Sequence, residues 1–265
     1  MNALAPSRLT RWIVGILVGA FFAIPLISTF LYTLRDDKKG GYSLVHWAAL
    51  FDPASASMIK PIWTGLGNSL VLSVVTVVIV LVLLAPTMIL VHLRFPKLRQ
   101  YFEFLALLPI SIPAIVLVVG LSPIYLQIAR MMGTGTWTLA FAYGITVLPF
   151  AYRAIQASID AADLRTLAEA ARTLGANWFS VVVKVLAPNI RQGLLAASLI
   201  SVAVVLGEFT IASLLNRQVF QTAMVVVRNQ DPYLPAIFTL LALLLVFVLL
   251  LIIGRAARGT RKARS

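Results

Sequence analysis

Cysteine is absent from this chain, and charged side chains make up only 12% of it. The first absence excludes disulfides, thiolate metal sites and redox motifs, and leaves open which compartment the loops face. Acidic residues are scarcer still, with nine Asp and Glu against 22 Lys and Arg. No two carboxylates stand at catalytic spacing, and no glycine-rich phosphate loop closes on Lys and Ser/Thr. The only histidines, His46 and His92, are far apart and isolated. Each is expected to be a solvated or hydrogen-bonded interfacial histidine rather than a metal ligand. A chain so short of reactive groups is expected not to be an enzyme. Linkers rich in Pro, Gly and Ser are missing too, as are low-complexity tracts, so residues 1–265 are expected to form one domain.

What is abundant is apolar: 60% of the residues are hydrophobic, far outside the usage of soluble domains. A bilayer core about 30 Å thick needs about 20 apolar residues in a helix. Six stretches fit that length or nearly so, at roughly 12–34, 66–93, 104–129, 137–153, 193–215 and 234–254. The fold class predicted is therefore all-α, a polytopic membrane protein with six transmembrane helices. The first stretch follows Arg8 and Arg11 but exceeds a signal's apolar core and is expected to stay as an anchor. The fourth is short and carries Gly144 and Pro149, which predicts a tilted or kinked span. Pro109 and Pro113 in "LLPISIP" must kink or loosen the third, a feature suited to a moving gate and also ordinary in membrane helices, as are Pro25 and Pro86.

Six spans put both ends on one side, and the basic residues say which. Fifteen Lys and Arg fall in the N-terminal segment, the 94–101 loop, the 153–191 segment and the tail, against seven in the other loops: Arg35, Lys38, Lys39, Lys60, Arg130, Arg217 and Arg228. Both termini are predicted to be cytoplasmic. The net charge of +13 is then explained by topology and attraction to anionic lipid heads, without nucleic acid.

This topology places a long loop, residues 154–190, in the cytoplasm between spans four and five. Its first half puts Leu164, Leu167, Ala168, Ala171 and Leu174 on one helical face, with Asp163, Arg165, Thr166, Glu169, Arg172 and Thr173 opposite. Gly175 ends that helix. A second is predicted with Phe179, Val182, Val183 and Leu186 at the same spacing, stopped by Pro188. The small side chains Ala170 and Ala171 let another protein's surface come close beside the bend. An amphipathic helix lying on lipid is the competing view, but the polar face carries both signs of charge. Glu169 is read two ways, as a partner contact or as an ion pair with Arg165 or Arg172 on its own helix.

The loop resembles that of the membrane permease subunits of bacterial ATP-binding-cassette importers, whose pattern runs E-A-A, three residues, G, nine residues, I-x-L-P. Glu169, Ala170, Ala171, Gly175 and Pro188 match it in register, with Val185 for the isoleucine and Ala187 for the leucine. The resemblance implies a type I permease whose loop helices seat in a groove on an ATPase. It implies two copies of that cytoplasmic ATPase, a second permease subunit (a homologue or a second copy) and an extracytoplasmic solute-binding protein. The location implied is the bacterial cytoplasmic (inner) membrane, multi-pass. No cofactor is expected on this chain, because ATP would be bound by the ATPase. "NSL" in span two, "LLPISIP" in span three and Gly-Glu-Phe in span five look most like the spermidine and putrescine group. Relatives for anions, iron, thiamine and phosphonates share some of these features, and a scaffold or channel using the loop to bind an unrelated protein is a reading of another class.

Glu208, in "VVLGEFTIASLL", stands out as a carboxylate near the outer half of the predicted fifth span. A charge at the bilayer centre costs roughly 2.5–3.5 kcal/mol on insertion scales, so such a group faces a cavity or a partner. It either lines the substrate pathway or fixes span packing as a paired or protonated acid, and Gly207 allows close helix approach in both cases. Asn68, with Ser69 beside it, and Tyr143 and Thr146 are further pathway candidates that could equally bond neighbouring helices.

Overall fold

A computed structural model describes residues 7–36 and 40–262, with side chains described to 248 and at 251. Of the orienting cations, Lys38, Lys39 and Arg264 lie outside the described residues, as do the side chains of Arg255, Arg258, Arg261 and Lys262. The described residues are helical throughout, with no strand beyond one isolated bridge between Arg35 and Tyr42. They divide into two compact units, Met1–Pro61 with Met224–Val248, and Ile62–Ala223 with Leu249–Ser265.

The first unit contains α1, Arg8–Thr33, which starts where the Ser7 hydroxyl accepts the Thr10 N–H at 3.1 Å. Its apolar residues run all round the helix and only Thr33 is buried. At about 1.5 Å per residue its 26 residues exceed the thickness of a bilayer core. In the same unit the Tyr233 ring stacks on Tyr32 at 4.9 Å and on His46 at 3.8 Å. His46 Nε2 also meets the Arg35 carbonyl at 3.1 Å.

The second unit is the larger body. Helix α2 is continuous over Pro53–Arg94, entering this unit at Ile62; α3 is Arg99–Leu107, α4 Ala114–Met132 and α5 Thr136–Asp160. Four further helices follow: α6, Leu164–Thr173; α7, Trp178–Asn189; α8, Arg191–Gly207; and α9, Thr210–Leu214. Helix α10, Phe220–Arg228, leaves the unit after Ala223, and α11 is Tyr233–Lys262. Two apolar cores hold the second unit together. One gathers Val80, Met88, Tyr152, Ile155 and Ile159 with the loop residues Leu164, Val181 and Leu186. The other gathers Leu72, Val118, Tyr125, Leu139, Tyr143, Val205 and Ile211. Helices α5 and α8 cross closely because Gly193 lacks a Cβ, which would stand 2.6 Å from Ser158 Cβ and 2.8 Å from the Ala154 carbonyl oxygen.

Among the described residues, α1, α2, α4 and α5 are long and apolar enough to cross a membrane, and α7 with α8 makes a fifth if their 79° bend belongs to one span. The differences from the hydropathy pattern have local causes. The stretch 104–129 is not one helix. Leu108–Ser111 is a tight 3-10 turn around Pro109, and Ile112 is extended (φ −99°, ψ 121°), as a residue before proline prefers. The long apolar helix begins only after Pro113. The fourth stretch is longer than expected and runs to Asp160, so the segment joining it to span five begins at Ala161 rather than at 154. The fifth stretch does not reach 215, because α8 ends at Gly207 and the chain is extended at Glu208 (φ −83°, ψ 126°).

Prolines leave a second mark. Both π-helical segments, Val80–Leu84 in α2 and Val181–Leu186 in α7, end two residues before a proline, Pro86 and Pro188. A proline ring crowds the carbonyl four residues earlier and offers no N–H to it. Those carbonyls belong to Val82 and Lys184, inside the widened turns. Pro188 therefore does not stop α7 as the sequence predicts; the helix absorbs it and ends at Asn189.

Candidate functional site

Two interruptions of the helices concentrate the predicted residues. The first is the bend between α6 and α7. Asp163 starts α6 by accepting the Thr166 N–H at 3.2 Å, and hydrogen bonds from the Thr166 hydroxyl and from this N–H hold its carboxyl below the ordinary carboxylate value. Leu164 (0% exposed), Ala168 and Ala171 point into the core with Tyr152, Ile155 and Ile159, while Arg165, Glu169, Ala170, Arg172 and Thr173 face outward. At the far end Gly175 N donates to the Arg172 carbonyl at 3.0 Å and Ala176 N to the Ala171 carbonyl at 3.1 Å. That is the Schellman pairing, which requires the left-handed backbone Gly175 adopts at φ 82°. Asn177 then caps α7, accepting the Ser180 N–H at 2.8 Å.

Glu169 pairs with Arg165, Nε to Oε1 at 3.1 Å, one helical turn away on a face that is mostly exposed. Exposed pairs of this kind contribute about 0–1 kcal/mol. Beside them a surface groove of about 340 Å³ is lined by Leu93, Arg94, Arg165, Glu169, Arg172 and Trp178. The apolar faces differ from the helical spacing in a telling way. Leu174 is 88% exposed and Phe179 75% exposed, with Val183 exposed too, while Val181 and Leu186 are buried. In α7 the core-facing stripe runs through Trp178, Val181, Val182, Val185 and Leu186, offset by one residue from the predicted one, which leaves Phe179 and Val183 outside. Leu174 lies in the bend itself, past the last residue of α6.

The second interruption separates α8 from α9. After Gly207 the Glu208 carboxylate turns onto the next half-helix and accepts the Ile211 N–H through both oxygens, at 3.0 and 3.1 Å. The chain then doubles back. Asn216 takes a positive φ of 52°, Arg217 N donates to the Ala212 carbonyl at 2.8 Å, and α10 begins at Phe220. Span two holds this return. Asn68 Nδ2 donates to the Gln218 carbonyl at 2.8 Å, and Ser69 Oγ accepts the Phe220 N–H at 2.9 Å. Gln221 Nε2 donates to the Leu206 carbonyl at 3.0 Å. Asn68 thus commits its donor to the backbone, and so does Thr146, whose hydroxyl bonds the Tyr143 carbonyl at 2.9 Å.

Tyr143 is different. It is completely buried in the second core, its hydroxyl lies within electrostatic reach of Glu208, and it makes no hydrogen bond of regular geometry among the described residues. The neighbouring Tyr125 is satisfied: its hydroxyl donates to the Thr138 carbonyl at 3.2 Å and accepts the Ala142 N–H at 2.9 Å. Arg217, electrostatically linked to Tyr125, has a buried Nε without a partner among the described residues. The structure therefore brings Glu208 and Tyr143 together and puts Asn68 and Thr146 to work on backbone. Sequence spacing does not pick out Gln221 or Arg217. Only the doubling-back of the chain brings them to the break, and the sole local hint is Asn216, a residue that tolerates positive φ.

The profile of one protein family, described as binding-protein-dependent transport system inner membrane component, matches residues 87–261. The spermidine/putrescine transport system permease protein PotB of Haemophilus influenzae is 26% identical over 190 residues, covering 66% of this chain. The chain spans 63% of that relative's length.

Proposed function

The chain belongs to the family of binding-protein-dependent transport system inner membrane components, and from that premise we propose that it is the membrane-spanning permease subunit of an ATP-driven importer. In this reading six spans cross the bacterial inner membrane with both termini in the cytoplasm. The α6–α7 segment is the loop that docks on a separate ATPase. Two copies of the ATPase, a second permease and an external solute-binding protein complete the assembly. ATP stays on the ATPase, and this chain performs no chemistry.

One observation carries the reading. The loop is anchored from beneath by Leu164, Val181 and Leu186 in the bundle's own core, yet it presents Leu174 and Phe179 almost fully exposed beside Arg165, Glu169 and Arg172. A soluble surface covers such side chains with a partner. The geometry also suits force transmission, because the helix that meets the partner shares a core with spans two and four and continues directly into α8. A bilayer-lying helix would instead turn its apolar residues to one side and carry a basic face. The proposed cargo is a polyamine such as spermidine or putrescine, supported by the printed name of the relative and by the carboxylate at the span-five break. Arg217, with its unpartnered Nε, favours a second reading in which the cargo is an anion.

The test is to purify the tagged chain with its candidate ATPase and binding protein, and to measure ATP turnover in liposomes. The ATPase is expected to co-purify, and turnover is expected to rise when the binding protein carries spermidine or putrescine. Ion conduction without ATP, or loss of the ATPase on purification from a mild detergent, would overturn the permease reading. Stimulation by oxyanions or metal complexes alone would overturn the cargo.

A further inference from the structure

The break in span five holds a half-buried carboxylate, Glu208, and a fully buried hydroxyl, that of Tyr143, which lies within reach of Glu208 and of the Ala212 backbone but makes no hydrogen bond of regular geometry among the described residues; the coupling loop uses neither. Burying a hydroxyl without a well-formed hydrogen bond is costly. A site retaining that cost is where a ligand-directed arrangement is sought. We propose, building on the polyamine reading, that the break is a binding site for one primary ammonium group of the cargo, with Glu208 as its direct ligand and Tyr143 as the residue that positions Glu208.

The capacity of the carboxylate allows it. Two ionised oxygens offer about four acceptor positions. The Ile211 N–H is shared between them at 3.0 and 3.1 Å. A hydroxyl rotor such as that of Tyr143 can donate to the same carboxylate in a charge-assisted bond. Acceptor positions remain, and an ammonium brings three donors and no acceptor. The surroundings have the right sign. Glu208 follows the last turn of α8, the negative end of a 17-residue helix, where the Leu206 carbonyl accepts the Gln221 side chain. Half-helix C-termini of this kind favour cations within membranes. Access is graded as well, since Glu208 is only half-buried whereas Tyr143 is sealed behind it. The cargo would therefore meet the carboxylate first, and the tyrosine would act through it. Arg217 stands by Tyr125 at the same break and is the group that an anionic cargo would meet instead.

The experiment compares wild type, Glu208→Gln and Tyr143→Phe in liposomes containing the complete transporter, with radiolabelled putrescine and spermidine as probes. Glu208→Gln keeps an acceptor for the Ile211 N–H, so a purely structural cap survives it while the charge does not. Loss of a hydrogen bond to a charged group predicts a fall of about tenfold or more in uptake at low substrate. Tyr143→Phe is expected to raise the KM for uptake about fivefold with the maximal rate unchanged. Both variants are expected to keep the thermal melt of wild type. Polyamine uptake equal to wild type in both variants would overturn the site and leave the transport reading standing. Wild-type uptake of an anion and of no amine would overturn both.

Discussion

The bend at Gly175 and the break at Glu208 interrupt helices by opposite means. At the bend, α6 ends through backbone groups alone in the Schellman pairing at Gly175, and a side chain, Asn177, enters only to start α7. At the break, a side chain does the work, because Glu208 supplies the acceptor for the Ile211 N–H. The surroundings are inverted too. Around Gly175 the apolar Leu174 and Phe179 stand outside, whereas around Glu208 the polar Tyr143 stands inside. On the proposed reading the bend would be a protein-facing joint and the break a ligand-facing one, told apart by an apolar group left exposed at the first and a polar group enclosed at the second.

The sharpest way to break that contrast is Gly175→Val. A Cβ there meets nothing within 4 Å, so the obstacle is backbone strain alone, at φ 82°. Holding a β-branched residue in that region costs about 1–3 kcal/mol. The two loop helices then change their angle while the core beneath stays intact. ATP-driven uptake is expected to fall about tenfold or more, with basal ATP hydrolysis retained. Gly175→Ala should fall between the two, and uptake equal to wild type in the valine variant would remove the bend from the coupling path.

Next in size is a comparison inside the second core. Tyr125→Phe strands the Ala142 N–H, which the Tyr125 hydroxyl accepts at 2.9 Å, and is expected to destabilise the purified protein by about 1–3 kcal/mol. Tyr143→Phe removes a hydroxyl that has no regular partner and is expected to leave the melt unchanged or slightly raised. Thermal unfolding in one detergent measures both. Equal losses would mean that Tyr143 is an ordinary satisfied tyrosine, and the distinction between the two joints would weaken.

The joint made of backbone was legible in the sequence, and the joint made of side chain was legible only in part. Gly175 after an amphipathic helix announces its own geometry, since left-handed backbone and apolar spacing are both local properties. Leu164, Ala168 and Ala171 followed their spacing into the core. Phe179 and Val183 did not, because the same helical spacing also fits a stripe through Trp178, Val181 and Val185, and that is the one the core takes. Glu208 stood out as a carboxylate in a greasy run. That it ends α8 depends on the return of residues 215–220 to Asn68 and Ser69, about 150 positions earlier. No window on the sequence spans that distance. The stretch 104–129 failed for a related reason: hydropathy counts apolar residues and is blind to whether prolines let them be one helix.

The smallest expected effect comes from the carboxylate that starts α6, set against the one that starts α9. Asp163 caps α6 in full exposure, whereas Glu208 caps α9 half-buried in a span. Hydrogen bonds from the Thr166 hydroxyl and N–H lower the Asp163 pKa in the folded state. A lowered folded value means that its contribution is present at pH above the unfolded value of 3.8 and is lost as pH falls through the folded one. Asp163→Asn retains a side-chain oxygen for the cap but no longer titrates. In a series of melts from about pH 5 downward, wild type should lose a small increment of stability that the asparagine variant does not. Identical acid profiles would show that solvent screens the Asp163 cap completely, leaving the start of α6 to its buried Leu164.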